Sequence, residues 1–581
     1  MEVQQTTRTF KIIKTLLIMA SILATVKMIF ADYTLDEEYQ IVMAYRNLSG
    51  DMLFGTMWEP HQTSAFVCVW LMRLFQMVTG GTTGVVLFLR FVTTGIQLAL
   101  ACWVTGALRK IIGKEYAFLL GCCYFNMVPK AIQIPEFSNL QLWFLTVTVL
   151  ALMHAFNMAE TEQIGRHRSG WIILAGIGMA GEALAYPACL ILFFFFLFVI
   201  FRHSGWRESA LFACTCVGCA AVWLAAVLSK VPLSEFLRNV SYVLNFDLTH
   251  DVSLAADYRT DALRLGAATS VFPILATGLL GVGMWFGYRL MRKADVDKTI
   301  PVFAVFLVLA AELVQLFYWI VLRKGYEEPL LYLAVLFLAA ALVWRQADSR
   351  KTGLAPGIWA GFLALAAGIY MSDLVAWYAI PHGLLGALFA AAVLVIALEK
   401  QGREKSRKWI LLLLVSLSFC IVFGKGFTLR AGNTDTNTVL GIRGVIRKGP
   451  AAGIFTNYMQ AYITNCTYDD FADCVEPGEN CLIVTNMVGT AGTSPYLFQN
   501  NKVSHFSIVD PTSYDERLLT YWALYPEKYP EVIIVDCWYG QLMEREDSWI
   551  MQYIENEFGY TQVEDGRYVR FYRRKERGTE E

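Results

Sequence analysis

Residues 10–31 read FKIIKTLLIMASILATVKMIFA and residues 32–40 continue DYTLDEEYQ, so a largely apolar run ends at a cluster of carboxylates. A helix of about 20 predominantly apolar residues is long enough to cross a bilayer. The basic residues Arg8, Lys11 and Lys14 precede or open the run, a pattern that would also suit a signal peptide. We interpret the run as a retained membrane anchor, because it is long for a signal peptide and many further apolar runs follow.

The composition of the whole chain continues this pattern. The 581 residues are 56% apolar and 17% charged, and the mean hydropathy is +0.46, whereas soluble chains are about 45–50% apolar and about 25% charged. This excludes a soluble enzyme, a disordered scaffold and a secreted disulfide-rich miniprotein. The net charge of −1 gives no basis for nucleic-acid binding, which requires a basic surface.

Thirteen apolar runs are predicted to span the membrane, at residues 10–31, 84–108, 116–133, 138–158, 170–187, 188–202, 209–229, 265–289, 299–321, 329–345, 354–378, 383–399 and 409–425. Alternate loops concentrate Lys and Arg, and cytoplasmic loops carry that excess in membrane proteins. We therefore predict a cytoplasmic N-terminus, and the odd number of spans places the C-terminal residues outside. The Gly- and Ala-rich, short-looped sequence suggests a bacterial plasma membrane.

The first external loop, about 32–83, is predicted to hold two amphipathic helices on the membrane surface. Apolar residues recur at helical spacing in Asp36–Leu48. His61–Val78 is almost long enough to span, but it contains Arg73 and Gln76. If it spanned, the basic residues of later loops would move to the external side, so we interpret it as a second surface helix.

The composition changes after residue 428, which divides the chain into a transmembrane domain of residues 1–428 and an extracytoplasmic domain of residues 429–581. Short strand-like and helix-like segments alternate in the second domain, which predicts a small α/β fold. The strand-like segments are Ala452–Thr456, Cys481–Thr485, Val532–Asp536 and Tyr568–Tyr572, and the helix-like ones include Tyr514–Tyr525 and Asp547–Phe558. Cys466, Cys474, Cys481 and Cys537 could form disulfides outside the membrane, in pairs that their spacing does not fix.

The carboxylates that open the first loop are the first candidates for chemistry. Asp36 and Glu37 follow the first span directly. Acidic residues at a helix N-terminus are explained by the helix dipole alone. The functional interpretation is a carboxylate held at the membrane surface as a general base or metal ligand, and spacing does not decide between the two.

Several short motifs, in this order, resemble the membrane glycosyltransferases of the GT-C fold, in particular the branch of the protein O-mannosyltransferases and the lipid A aminoarabinose transferase. Residues 32–62 contain an Asp-Glu, a Tyr, a Gly-Asp and a Pro, and Arg90 comes early in the next span. Pro135-Glu136 opens a later external segment, residues 322–329 read LRKGYEEP before another span, and residues 176–187 are Gly-rich and end in Pro. By motif the resemblance covers about residues 1–200, and by topology 300–425.

The resemblance implies an enzyme that moves a sugar from a polyprenyl-phosphate donor to an acceptor hydroxyl on the outer face, with inversion. Asp36 matches the family's general base, Glu37 lies beside it, and Glu136 corresponds to the acid of the second loop. The predicted external loops lack an Asp-x-Asp motif like that of the metal-dependent oligosaccharyltransferases, and Asp295-Val296-Asp297 lies in a loop predicted to be cytoplasmic. No metal is therefore expected to be required, and a divalent metal is the secondary expectation.

The leaving group of this reaction is a phosphate ester, which requires positive charge nearby. Arg323 and Lys324 follow a span at headgroup depth, Arg90 lies inside one, and His61 opens the second surface helix. These four residues are the candidates for binding the lipid phosphate. The alternative is interfacial snorkelling for Arg323 and Lys324, a buried carboxylate partner for Arg90, and a capping or interfacial role for His61.

Two other classes of function stay open at this point. A secondary transporter or lipid flippase would also be polytopic, although matched halves with broken helices at the midplane are not apparent. A catalytically silent GT-C relative would bind a lipid-linked sugar without transferring it. The sugar is undetermined, and the acceptor is a lipid, a wall polymer or a protein.

Overall fold

The computed structural model of the protein describes residues 2–33, 35–59, 61–157, 165–244, 256–292, 296–326, 329–371, 376–429, 438–484, 495–505, 516–536, 554 and 560–574. Sixteen α-helices precede the first strand in these ranges. They are α1 Glu2–Phe30, α2 Leu35–Leu48, α3 Phe66–Thr79, α4 Val85–Ile112, α5 Lys114–Asn126, α6 Phe137–Asn157, α7 Gly165–Ala185, α8 Ile191–Ser204, α9 Trp206–Leu228, α10 Leu233–Leu244, α11 Ala256–Arg292, α12 Val296–Ile320, α13 Leu331–Val343, α14 Ala355–Met371, α15 Leu384–Glu399 and α16 Arg403–Phe427.

Ten helical segments in the described residues are long and apolar enough to cross a membrane, which makes the chain a multi-pass membrane protein. The other three predicted spans are helices too, namely α5, α7 and α13. α5 and α13 have 13 residues each, which at 1.5 Å per residue is short of a bilayer core of about 30 Å. α7 is longer, but it opens with Arg166 and Arg168 and carries Glu182. The predicted number of thirteen therefore exceeds the ten helices that meet the length and hydropathy of a span.

Helix α15 lies at the centre of the bundle. Its span is buried along its whole length, and its close contact with α14 depends on two glycines. A Cβ atom at Gly361 would lie 2.6 Å from the Cα of Gly386, a separation too short for non-bonded carbon atoms. The two backbones can meet at this crossing only because neither residue has a side chain.

The two predicted helices of the first loop are present as α2 and α3, but α2 is not a surface helix with one face in water. Ile41, Val42 and Met43 are no more than 1% exposed although they are consecutive. The reason is that the C-terminal part covers the side of α2 that faces away from the bundle, and the Tyr45 hydroxyl donates to the carbonyl of Asn501 at 2.7 Å. The amphipathic pattern of α2 alone could not reveal that the C-terminal part buries its other face.

The C-terminal part contains a five-stranded sheet in the order β4-β3-β5-β7-β6. β3, β4 and β5 are mutually parallel, and β7 pairs antiparallel with β5 and β6. The bounds are β1 Gly444–Val445, β2 Phe455–Thr456, α17 Tyr458–Cys474, β3 Asn480–Val484, α18 Pro495–Phe498, β4 Lys502–Val503, α19 Glu516–Leu524, β5 Val532–Asp536, β6 Tyr560–Asp565 and β7 Val569–Arg574.

The α/β fold predicted for this part is confirmed, and each of the four strand-like segments overlaps a strand. The helix-like segment Tyr514–Tyr525 overlaps α19, whereas Asp547–Phe558 lies outside the described residues except for Ile554. Cys466, Cys474 and Cys481 are described and no disulfide joins them to one another, and Cys537 lies outside the described residues. The disulfides considered for this part are therefore not formed among the three described cysteines.

A buried ion-pair network joins the first loop to the C-terminal part. Arg46 is fully buried, and its guanidinium donates to Asp51 Oδ2 at 2.7 Å, to Glu59 and to the carbonyl of His505. Lys528 forms a second ion pair with Asp51. The C-terminal part is thus fixed to the loop that carries the predicted catalytic carboxylates.

Candidate active site

Arg90 fixes the point where the first span turns into the first loop. Its Nε and Nη2 atoms donate to the two carboxylate oxygens of Glu37 at 2.9 and 2.6 Å, and both side chains are about 2–3% exposed. Nη1 donates to the carbonyls of Met28, Ile29 and Ala31 at 3.0–3.2 Å. Carbonyls at a helix C-terminus have no partner within the helix, so Arg90 both caps α1 and holds the start of α2.

These hydrogen bonds occupy both Glu37, predicted from the first loop, and Arg90, predicted from the second span. Nη2 of Arg90 also donates to the carbonyl of Asp32 at 2.5 Å, so each of the three guanidinium nitrogens is engaged and its five donors are accounted for. The Glu37 carboxylate is held by the same guanidinium. Asp36 precedes Glu37 in the first turn of α2, and its side chain is not among those described.

Glu136 is the N-terminal cap of α6. Its two carboxylate oxygens accept the backbone N–H groups of Ser138 and Asn139 at 2.9 and 2.8 Å, and it is fully buried. The side chain of Asn139 donates to the carbonyls of Ile132 and Ile134 and so fixes the loop that leads into the helix. The capping bonds satisfy donors that every helix leaves open at its start.

The first loop and the segment before α6 are in direct contact through Gln40, one turn after Glu37. Gln40 Nε2 donates to the carbonyl of Pro135 at 3.4 Å, and its Oε1 accepts the Ser64 hydroxyl at 3.1 Å. The Cys68 thiol reaches the same carbonyl at 3.3 Å. The two predicted acidic positions, which are about 100 residues apart in sequence, therefore belong to adjoining elements.

His61 belongs to a stack of rings beside Glu136, which we call the aromatic cluster: His61, Phe137, Tyr186 and His382. The His61 ring lies parallel to Phe137 with 4.2 Å between centroids, and Tyr186 extends the stack towards His382. Lys130 places its ammonium 3.7 Å from the centre of the Phe137 ring. A ring face attracts such a cation, so a positive charge is held at this end of the bundle.

The cluster rests on a buried polar chain. His382 Nδ1 lies 2.8 Å from Gln141 Oε1, and Gln141 Nε2 donates to Glu182 Oε1 at 3.0 Å. His61 and Lys130 have positive φ angles of 60° and 53°, a conformation that costs free energy in residues other than glycine and that is concentrated at functional sites. Sequence reasoning missed Lys130, Tyr186 and His382 as site residues. The signal in the sequence was a proline next to each of them: Pro129 before Lys130, Pro187 after Tyr186 and Pro381 before His382.

Arg323 and Lys324 are exposed in the loop after α12, and Arg323 also has a positive φ, 51°. This loop packs against the segment that carries Lys130, because the Tyr326 hydroxyl lies 3.2 Å from Met127 Sδ and accepts the N–H of Val128 at 3.4 Å. The structure thus brings the loop of the two predicted cations against the loop of the cation that was missed.

A metal site is not apparent in the part of the chain that is described. No three His, Cys, Asp or Glu side chains converge in these ranges. This statement does not include the side chain of Asp36, which the sequence suggests as a base or metal ligand, because that side chain is not among those described.

No family model matches the chain, and no curated protein matches it. Among solved structures it is similar to the oligosaccharyltransferase AglB of Archaeoglobus fulgidus in complex with an inhibitory peptide and a dolichol-phosphate, at 10% identity and a TM-score of 0.44, with 94% of this chain and 72% of that one covered. An oligosaccharyltransferase of Archaeoglobus fulgidus in complex with Zn and sulfate gives 12% identity and a TM-score of 0.45, with 95% of this chain and 72% of that one covered.

The chain is also similar to ArnT of Cupriavidus metallidurans bound to undecaprenyl phosphate, at 12% identity and a TM-score of 0.42, with 96% of this chain and 97% of that one covered. Similarity at this level says nothing about activity, which has to be argued from the residues of this chain.

Proposed function

We propose that this multi-pass membrane protein is a glycosyltransferase that moves a sugar from a polyprenyl-phosphate donor to an acceptor hydroxyl, with inversion. The single observation that carries the proposal is the convergence of the first loop, the segment before α6 and the aromatic cluster at one end of the bundle. Carboxylates lie there beside a held positive charge, at the end that carries the C-terminal part. These are the two kinds of group that transfer from a lipid phosphate requires.

In the proposed reaction Asp36 is the general base. It takes the proton of the acceptor hydroxyl as that oxygen attacks the anomeric carbon, and the bond from this carbon to the phosphate oxygen breaks. The electron pair of that bond stays on the phosphate, which leaves as the polyprenyl phosphate. Glu37, locked by Arg90, fixes the turn of α2 that carries Asp36.

The charge that develops on the leaving phosphate requires cations rather than an acid. We propose that Lys130, Arg323, Lys324 and His61 supply them, because their loops adjoin at this end of the bundle. Arg90 is proposed as a positioning residue instead of a phosphate ligand, since its donors are engaged. Glu136 holds the N-terminus of α6 and so the position of Phe137 beneath His61.

We further propose that residues 1–428 and 429–581 are the two domains, that the N-terminus is cytoplasmic, and that the C-terminal part is extracytoplasmic in a bacterial plasma membrane. Reporter enzymes that are active on only one side of the membrane, fused after residue 428 and after residue 581, test this orientation. Activity of a cytoplasmic reporter at either fusion would contradict it.

The test of the transferase proposal is the release of free polyprenyl phosphate from a panel of polyprenyl-phosphate sugars. The wild type and Asp36→Asn are reconstituted in lipid with a crude envelope fraction as the acceptor, and Asp473→Asn, an exposed carboxylate of α17, is the matched control. We expect release by the wild type and the control and its loss in Asp36→Asn. No release from any donor by folded protein would favour a transporter, a flippase or a silent relative.

A further inference from the structure

The exposed apolar side chains of the C-terminal part are concentrated at one place. Among the described residues from 438 onward, five large apolar side chains are exposed by more than two fifths, and we call them the aromatic ridge: Leu440, Phe455, Tyr458, Met459 and Tyr462. The other large apolar side chains with such exposure belong to the helical part, between residues 12 and 419. Contiguous exposed apolar surface marks a contact with a partner or a membrane.

The backbone fixes the ridge to the ends of two spans. The carbonyl of Phe455 accepts the N–H of Asp32 at 2.8 Å, and Phe455 forms a β-bridge with Ala31, directly after α1. Thr438 forms a β-bridge with Thr428, directly after α16. The segments that carry Leu440 and Phe455 are therefore held at the depth in the membrane where α1 and α16 end.

The first turns of α17 present one face outward at this depth. Tyr458, Met459 and Tyr462 have the spacing of one helix face, and the rings of the two tyrosines are stacked 6.1 Å apart at 10°. Ala461 and Ile463, which flank this face on its two sides, are buried, so the exposed face is narrow. The side chain of Gln460 donates to the carbonyl of Tyr33 at 3.2 Å, which holds the start of α17 against the end of the first span.

We propose that the aromatic ridge is a membrane-docking surface, which inserts into the interfacial layer of the bilayer on the side that carries the C-terminal part. The occupant is lipid because the ridge continues a lipid-facing surface: Leu23 and Val26, one to two turns before the end of α1, are 70% and 49% exposed. Tyrosine is enriched in this layer, where its ring is buried and its hydroxyl reaches water. Arg443, exposed and paired through its backbone with Thr456, adds a positive charge suited to anionic headgroups.

Docking of the ridge would hold the C-terminal part down on the membrane. Because the same part covers α2 and binds Arg46, the ridge and the ion-pair network would fix the first loop from two sides. This inference requires only that the chain spans a membrane, and it does not depend on the proposed transferase activity.

Photo-crosslinking of the full chain tests the proposal. The variants Tyr458→p-benzoylphenylalanine and Tyr462→p-benzoylphenylalanine are reconstituted in nanodiscs of equal parts phosphatidylethanolamine and phosphatidylglycerol. Asp473→p-benzoylphenylalanine is the control on the same helix, since its side chain is exposed and it lies ~22 Å along the axis from Tyr458 at 1.5 Å per residue. We expect several-fold more phospholipid adducts at 458 and 462 than at 473 by mass spectrometry of the intact protein.

Three results would overturn the proposal. These are equal adducts at all three positions, adducts at none of them, and crosslinks at 458 and 462 to a second copy of the chain in place of lipid. Leu440→p-benzoylphenylalanine provides a further position that is independent of the folding of α17, and it should give the same lipid adducts as Tyr458 and Tyr462.

Discussion

Arg90 shows how a charged residue is accommodated inside a predicted span. An arginine within the membrane is costly unless it is paired or serves a function, and here one guanidinium neutralises Glu37 and caps the last carbonyls of α1. The sequence pointed to the importance of this residue and offered a buried carboxylate partner as the alternative to a lipid phosphate. The structure provides that partner.

Replacing Arg90 should destabilise the protein through Glu37. Removing one partner of a buried ion pair costs about 3–5 kcal/mol, because the remaining charge is left without compensation. We therefore expect Arg90→Gln to lower the thermal unfolding midpoint strongly, and Arg90→Gln/Glu37→Gln to cost less than the sum of the two single variants. A thermal double-mutant cycle in detergent measures this coupling, and strictly additive effects would contradict it.

Lys130 is the cation that the sequence analysis did not single out. A hydrogen bond to a charged group contributes about 1.5–3 kcal/mol, so Lys130→Ala should raise the KM for the polyprenyl-phosphate donor by about ten- to a hundredfold. Lys502→Ala, on an exposed residue of β4, is the control and should leave the donor KM unchanged. An unchanged KM in Lys130→Ala would remove this residue from the proposed phosphate site.

The proposed chemistry assigns the acid–base work to a carboxylate and the phosphate charge to side-chain cations. We therefore expect that dialysis against a chelator leaves the release of polyprenyl phosphate unchanged, and that added Mg²⁺ or Mn²⁺ does not increase it. Loss of release on chelation, with recovery when metal is returned, would assign a metal to the first-loop carboxylates instead.

At the scale of elements, the crossing of α14 and α15 determines how tightly the bundle closes around its central helix. A side chain at Gly361 would have to displace the backbone of Gly386, and overpacking of a dense core costs about 1–3 kcal/mol. We expect Gly361→Val to lower the thermal unfolding midpoint. Gly218→Val is the control, because a Cβ atom at this position in α9 meets open space, and equal effects of the two changes would contradict the packing argument.

At the scale of the whole molecule, the Arg46 network decides whether the C-terminal part and the first loop move together. Burial would raise the pKa of Asp51, but Arg46 and Lys528 lower it below its ordinary value of 3.8. Burial raises the pKa of Glu59 in spite of Arg46 beside it. The two carboxylates that contact one guanidinium therefore titrate in opposite directions from their ordinary values.

The lowered pKa of Asp51 predicts how the stability of the protein changes at acid pH. A carboxyl whose pKa is depressed by folding contributes stability above its ordinary pKa and loses it as the pH falls through the folded value. The difference in thermal midpoint between the wild type and Asp51→Asn should be constant above about pH 5 and shrink below about pH 4. Unfolding scans across this range measure it, and a difference that persists unchanged to acid pH would show that Asp51 contributes no charge-dependent stability.

The sequence by itself determined most elements of this protein and named several polar residues of the proposed site. Apolar runs, basic loops and helical spacing are local properties, so the spans, α2, α3 and the alternation of strands and helices in the C-terminal part follow from neighbouring residues. Asp36, Glu37 and Arg90 stand out because charge is unusual beside and inside apolar runs, whereas Glu136 was named only through the resemblance to the GT-C transferases.

Only the tertiary structure decided what these residues contact. Arg90 takes up Glu37 and the carbonyls of α1, and the aromatic cluster joins His61, Phe137, Tyr186 and His382 from distant parts of the chain. The physical reason is that helix packing sets these contacts. A pattern along one helix shows which face is apolar, and it does not show whether lipid, another helix or the C-terminal sheet covers that face.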